Sequence, residues 1–139
     1  MFKHILVPID LSDRNERTLR TVLALATQSR ARVTLLHVVH HVANIPLGEM
    51  RVFYQRLVLT SKRRLGQAAK PFGAAGLRVR SEVLIGEPAR QIVRVAAARK
   101  VDLVVMGSHK VDPARRDRGW GTTSYQVGIF CQCPILLVK

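Results

Sequence analysis

The chain opens on an apolar run, Ile5-Leu6-Val7-Pro8-Ile9, too continuous to alternate between a wet and a dry face. Such runs suit strands covered on both sides, the habit of parallel sheets. Asp10-Leu11-Ser12-Asp13 reads as a loop, and Asp13 with Glu16 has the spacing of a capping box. Leu19, Val22, Leu23 and Ala26 then recur at helical spacing, with Arg14, Arg17 and Arg20 outside, which predicts a helix from Asp13 to about Ser29. Arg32 to Val39 is β-branched and apolar, a second strand, and His40 to Pro46 reads as a loop. Met50, Phe53, Tyr54, Leu57, Ser61, Leu65 and Ala68 keep a helical stripe that Gly73 and Gly76 close. Arg78 to Leu84 alternates polar and apolar, so this strand has one wet face or lies near an edge.

Gly86-Glu87-Pro88 signals a helix entry, because proline in the first helical position sacrifices no needed hydrogen bond. Ala89, Ile92, Val93 and Ala96 carry its buried face. Asp102 to Met106 is another buried strand, stopped by Gly107-Ser108 and followed by an arginine-rich loop. A short helix is expected to begin within Gly119-Trp120-Gly121-Thr122-Thr123-Ser124 and run to about Phe130, and Ile135 to Val138 is the last strand. Strand and helix thus alternate from end to end. That pattern calls for an open α/β domain spanning residues 1–139, with a parallel sheet, helices on both faces and right-handed crossovers.

Composition narrows the classes. Apolar residues make up 47% of 139, which excludes a disordered polyelectrolyte. Two cysteines are too few for a disulfide scaffold, and their C-x-C spacing is not the thioredoxin-like one. No apolar run approaches the ~18 residues of a membrane span, and the first residues lack the pattern of a signal peptide. A cytoplasmic location without membrane insertion is the expectation. Lys and Arg number 23 against nine Asp and Glu, a net +14 that favours anionic partners without bearing on the fold.

In open parallel sheets, ligands collect beyond the carboxyl ends of the strands. The candidates there are Asp10, Val38 to His41, and Gly107 to Ser124. In the last segment, a tract holding Lys110, Arg115, Arg116 and Arg118 returns to Gly121-Thr122-Thr123-Ser124 at a helix start. Unpaired N–H groups and the positive end of the helix dipole attract anions there. Hydroxyls in that position also cap helices, so capping and phosphate binding stand as alternatives. No G-x-x-x-x-G-K-[ST] motif is present, which argues against a P-loop enzyme.

The assembled pieces resemble the universal stress protein (UspA-like) family. The resemblance rests on Ile5 to Ser12, Leu35-Leu36-His37-Val38-Val39, Gly86-Glu87-Pro88, Asp102 to Ser108, and Gly121-Thr122 through Cys133-Pro134-Ile135-Leu136-Leu137-Val138. Their order and spacing run over essentially the whole chain. The resemblance implies a Rossmann-like five-stranded parallel sheet in the order 3-2-1-4-5 and a homodimer paired through the last strand. Some members bind ATP or related adenine nucleotides through G-x2-G-x9-G-[ST] after the fourth strand. Gly107 matches its first glycine and Gly121-Thr122 its closing pair, with one extra residue in the loop and Lys110 in place of the middle glycine.

The nucleotide-binding residues implied are Pro8, Ile9, Asp10, Val38, Met106, Gly107, Ser108, Lys110, Gly121, Thr122, Thr123 and Ser124. Asp10 would accept from the ribose, because a carboxylate repels phosphate; Val38 would present its backbone to adenine. Met106 and Gly107 would line the floor, and Gly121 to Ser124 would take phosphates. Lys110 either blocks the phosphate end or supplies a point charge in place of the glycine contact, and the reading taken is retained binding. The implied cofactor is an adenine nucleotide, ATP, ADP or AMP, with or without Mg2+.

Catalysis lacks a cast: there is no nucleophile elbow and no paired carboxylates, so no enzyme is expected. His37, His40 and His41 cluster at a strand end without a carboxylate or thiol at ligand spacing, so no metal is expected. Two rival functions remain. A nucleotide-free dimeric module would dock an unidentified protein partner. A basic polyanion or nucleic-acid binder would use the +14 surface, but aromatics are only 5% and no nucleic-acid module is recognisable. The reading adopted is a stress-response regulator whose nucleotide occupancy alters partner interactions.

Overall fold

Strand and helix do alternate along the chain, and the pleat of the strands decides which layer each helix joins. The computed structural model describes residues 1–10, 12, 15–41, 46, 48–108 and 123–139. Among them are β1 (His4–Pro8), α1 (Glu16–Ser29), β2 (Arg32–His40), α2 (Arg51–Ala74), β3 (Val79–Gly86), α3 (Pro88–Ala98), β4 (Leu103–Gly107), α4 (Thr123–Phe130) and β5 (Ile135–Val138). All strand pairs are parallel, in the order β3-β2-β1-β4-β5. This is the α/β architecture and strand order expected from the sequence. Among the described residues no helix is long and apolar enough to cross a membrane.

Successive side chains of a strand point to opposite faces, so the continuous run of β1 feeds two cores. Ile5 and Val7, with Val33, Leu35, Leu103 and Val105, pack under α1 and α2 against Val22, Ala26, Leu65 and Phe72. Leu6, with Leu36, Val104 and Met106, packs on the other face against Ala89, Ile92 and Val95 of α3 and Val127 of α4. An unbroken apolar strand is therefore what a central position between two helix layers demands. The alternating β3 lies at one edge.

Several boundaries differ from expectation. The first helix begins at Glu16, and the expected capping residue Asp13 lies outside the described residues. On α2, Tyr54, Ser61 and Leu65 are buried as expected, but Phe53 is half exposed and Phe72 takes its place in the core. On α3 the fully buried residue is Val95 and not Val93. Gly73 lies within the last turn of α2, and Gly76 alone terminates it, at φ 79°.

That termination recurs. Leu77 N–H bonds the Phe72 carbonyl across Gly76, the Schellman pattern with a left-handed residue between. Ala31 reaches Ala26 in the same way across Arg30 (φ 55°), and Val101 reaches Ala96 across Lys100 (φ 53°). Three crossovers from helix to strand thus share one turn, and only one of them carries glycine.

The amino end of the sheet is held by polar groups. Asp102, just before β4, accepts from the backbone N–H of Lys3 at 2.8 Å and of His4 at 3.0 Å, fastening β4 to the start of β1. Partial burial alone would raise its pKa, but these bonds outweigh burial and hold the carboxyl below the ordinary 3.8. Folding therefore leaves Asp102 with fewer bound protons than the unfolded chain, and its contribution is full above that value and lost as pH falls through the folded one. Asp102→Ala should lose about 1–3 kcal/mol at neutral pH by urea denaturation. Its gap from wild type should close as the pH is lowered through the native pKa of Asp102.

Candidate functional site

β1 stops pairing where β2 continues. Pro8 is the last β1 residue in register, opposite Leu36, and Ile9 N–H bonds the Leu36 carbonyl at 2.8 Å, while β2 runs on to His40. The next rung of a parallel ladder would join Val38 N–H to the Ile9 carbonyl. That carbonyl instead accepts from His37 Nδ1 at 2.7 Å. Beyond Leu36, then, the β1-facing polar groups of β2, those of Val38 included, have no strand beside them.

On the other side of β1, β4 ends at Gly107, and Ser108 N–H bonds the Val138 carbonyl at 2.8 Å. The chains diverging from β1, β2 and β4 open a cleft of about 610 Å3 at the carboxyl edge of the sheet, a size suited to a small-molecule ligand. Its wall is apolar where Pro8, Ile9, Leu36, Pro88, Ile92, Met106 and Val138 meet, and polar at Asp10, Asn15, Ser108, Thr123, Ser124 and Lys139.

Asp10 stands at one rim. Its Oδ1 accepts from Ser12 N–H at 2.9 Å, Ser12 Oγ at 2.5 Å and Asn15 Nδ2 at 3.0 Å. Asn15 also donates to the Asp10 and Ser12 carbonyls. Among the described residues no group donates to Oδ2. Partial burial would raise the Asp10 pKa, but the bonds from Ser12 and Asn15, with His37 nearby, bring it below its ordinary value. Asp10 therefore shapes its own loop through one oxygen and keeps the other as an acceptor that no described residue engages. It does not cap α1: the N-cap of that helix is Asn15, whose side chain makes no capping bond.

At the other rim Lys139 Nζ donates to Ser108 Oγ at 3.3 Å, and the Lys139 carbonyl accepts from Arg17 Nη1 at 2.8 Å. The start of α4, Thr123 and Ser124, completes this side. The cleft thus carries a carboxylate at Asp10, a cation at Lys139, a helix start at Thr123 and an otherwise largely apolar wall.

Of the residues named from the sequence, Pro8, Ile9, Asp10, Val38, Met106, Gly107, Ser108, Thr123 and Ser124 line this one cleft. Lys110, Gly121 and Thr122 lie outside the described residues. Sequence reasoning missed Asn15, Leu36, Pro88, Ile92, Val138 and Lys139, and it gave His37 no part. Ile92 was legible as an apolar helix position; Lys139 carries no motif. Cys131 and Cys133 sit outside the cleft with their sulfurs 3.4 Å apart, and burial, with Cys131 adding to it, pushes the Cys133 thiol up to about 12. Among the described residues no three His, Cys, Asp or Glu stand together as metal ligands.

Comparison with known proteins gives a consistent picture. A model of the universal stress protein family matches residues 1–139. A universal stress protein from Thermus aquaticus is 33% identical over 144 residues, covering all of both chains. The solved structure of a Methanocaldococcus jannaschii protein superposes with a TM-score of 0.81 at 28% identity, over 100% of this chain and 96% of that one. A universal stress protein solved in complex with cAMP has a TM-score of 0.72 at 21% identity, covering 99% and 96%. One from Archaeoglobus fulgidus in complex with dAMP has 0.71 at 21%, covering 99% and 98%.

Gly107 is constrained from below. A Cβ there would stand 3.0 Å from Oγ1 of Thr18, a buried residue on α1 with little room to yield. Gly107→Ala should cost about 1–3 kcal/mol through overpacking. Adding Thr18→Ala should recover part of that loss, a coupling that a double-mutant cycle in urea reads directly.

Proposed function

This chain belongs to the universal stress protein family, and from that premise we propose that its cleft binds an adenine nucleotide, with occupancy controlling how the protein engages a partner. The observation that carries the reading is the order of groups across the strand ends that line the cleft: Val38 on β2, Asp10 after β1, and Ser108 and Lys139 after β4 and β5, with the start of α4 at Thr123 beside them. A nucleotide has the complementary order of base, sugar and phosphate. The sugar hydroxyls donate to Asp10 Oδ2, the base edge meets the unpaired backbone of Val38, and phosphate lies toward Ser124, Ser108 and Lys139. Relatives of the same fold were solved with cAMP and with dAMP. The lone pairs of Asp10 Oδ2 can accept from one or both hydroxyls of a ribose. A monophosphate therefore meets all of these groups, and ATP or ADP, with or without Mg2+, would extend toward residues 109–122.

The cleft binds and does not catalyse. Asp10 has its pKa lowered by Ser12 and Asn15, the opposite of what a general base poised near neutrality requires.

The partner surface begins with a second copy of the chain. Leu136 and Leu137 of the edge strand β5 are exposed, as are Tyr125, Ile129 and Phe130 on α4. An open apolar edge is a template for strand pairing, and this supports a homodimer through β5. Leu136→Asp should shift the protein to monomer in light scattering, while wild type stays dimeric.

Calorimetric titration with AMP, ADP, ATP and cAMP tests the nucleotide reading. Saturable one-to-one binding is expected, and Asp10→Ala should weaken it about tenfold to a hundredfold, the loss of a hydrogen bond to a charged acceptor. Because Asp10 stays ionised down to below its ordinary pKa, wild-type affinity should not fall through its titration until the solution is strongly acidic. No binding of any adenine nucleotide, or equal binding by Asp10→Ala, would leave the docking module as the reading.

A further inference from the structure

The opposite end of the sheet gathers arginines. Register sets His4 beside Arg32 and Thr34 beside Arg80, and Arg78 precedes the Val33–Val79 pair as Arg32 does. Alternate residues of a strand share a face, so His4, Arg32, Thr34, Arg78 and Arg80 all lie on the α3 side of the sheet. Arg99, immediately after α3, closes this group, and His4 Nδ1 donates to its carbonyl at 3.2 Å. The four arginines line a cleft of about 340 Å3.

The charges in this cleft are not balanced. The Arg99 guanidinium is taken by Glu82, in an ion pair that is itself largely buried. Asp102, the other nearby carboxylate, is occupied by the N–H groups of Lys3 and His4. Among the described residues, the side chains of Arg32, Arg78 and Arg80 form no ion pair with a carboxylate within 4 Å. Like charges facing each other on adjacent strands destabilise a sheet, and the arginine fork is the side chain best matched to phosphate oxygens. We propose that this cleft is a second anion site that takes a compact polyphosphate group, two or three linked phosphates, at the far end of β1 from the nucleotide cleft. Three cations lining one small hollow call for several negative charges in an equally small volume. Among the described residues no Phe, Tyr or Trp lines the cleft, so the bases of a single-stranded nucleic acid find no aromatic stacking platform there.

Two residues report which cleft is filled. His4 belongs to the arginine cleft and Val38 to the nucleotide cleft. The full chain is titrated with tripolyphosphate by calorimetry and by NMR of the histidine rings and backbone amides. Saturable binding is expected, with His4 ring resonances moving along the same curve. Arg78→Gln/Arg80→Gln should weaken that binding about tenfold or more, as should Arg32→Gln, which reports independently from the central side of the cleft. AMP binding in the other cleft should stay as in wild type. Unchanged tripolyphosphate affinity in these variants would overturn the proposal. So would stationary His4 resonances at saturation, or a random oligonucleotide that displaces tripolyphosphate at equal phosphate concentration.

Discussion

The cleft at the carboxyl edge exists because neighbouring strands of a parallel ladder end at different heights. β1 stops bonding at Ile9 N–H while β2 proceeds to His40, and the carbonyl that would carry the ladder one rung further is held by the His37 ring. A buried backbone group left without a partner is costly, so this edge must be answered by side chains, water or ligand. His37 answers one such group from within the chain. Val38 keeps its own at the rim of the cleft. The fold therefore makes a binding edge as a consequence of its own strand lengths.

Two polar devices sit at the two ends of β1 and do different work. At the carboxyl end Asp10, a residue lining the cleft, spends one oxygen on Ser12 and Asn15 and has no donor on the other among the described residues. At the amino end Asp102 spends both oxygens on the backbone of Lys3 and His4. Both carboxylates are held below their ordinary pKa against the effect of burial, and hydrogen bonding to the charged form is the reason in each case. Only the first has, among the described residues, an oxygen that accepts from no donor. The difference separates a residue that organises a site from one that only fastens strands, although both are aspartates beside a buried strand.

The excess of positive charge is likewise not spread evenly in its consequences. Arg17 anchors the Lys139 carbonyl, Arg20 pairs with Glu16 on the exposed face of α1, and Arg99 pairs with Glu82 beneath α3. Exposed pairs such as that on α1 add little to stability. The arginines of β2 and β3 differ because the sheet register stacks them on one face, where the neighbouring Glu82 is already paired with Arg99. A count of charges cannot distinguish these situations, since they depend on which strands are neighbours.

Hydrophobic period alone determined the alternation of strands and helices, and the unbroken runs at Ile5 and Leu103 identified strands covered on both faces. The proline entry of α3 and the glycine exit of α2 were legible because their backbone geometry is written in those two residue types. Arg30 and Lys100 adopt the same left-handed exit without glycine, so no local signal marked them; they are held there by the bonds that join helix to strand. Asp10, Val38, Met106 and Ser124 could be named as one site from their places at strand and helix ends, through resemblance to a family. Asn15, His37, Pro88 and Lys139 could not, because their share in the cleft arises from how far each strand runs before its neighbour stops. Tertiary structure alone decided that, and for one reason: register is a relation between distant segments, and a chain read in order does not contain it.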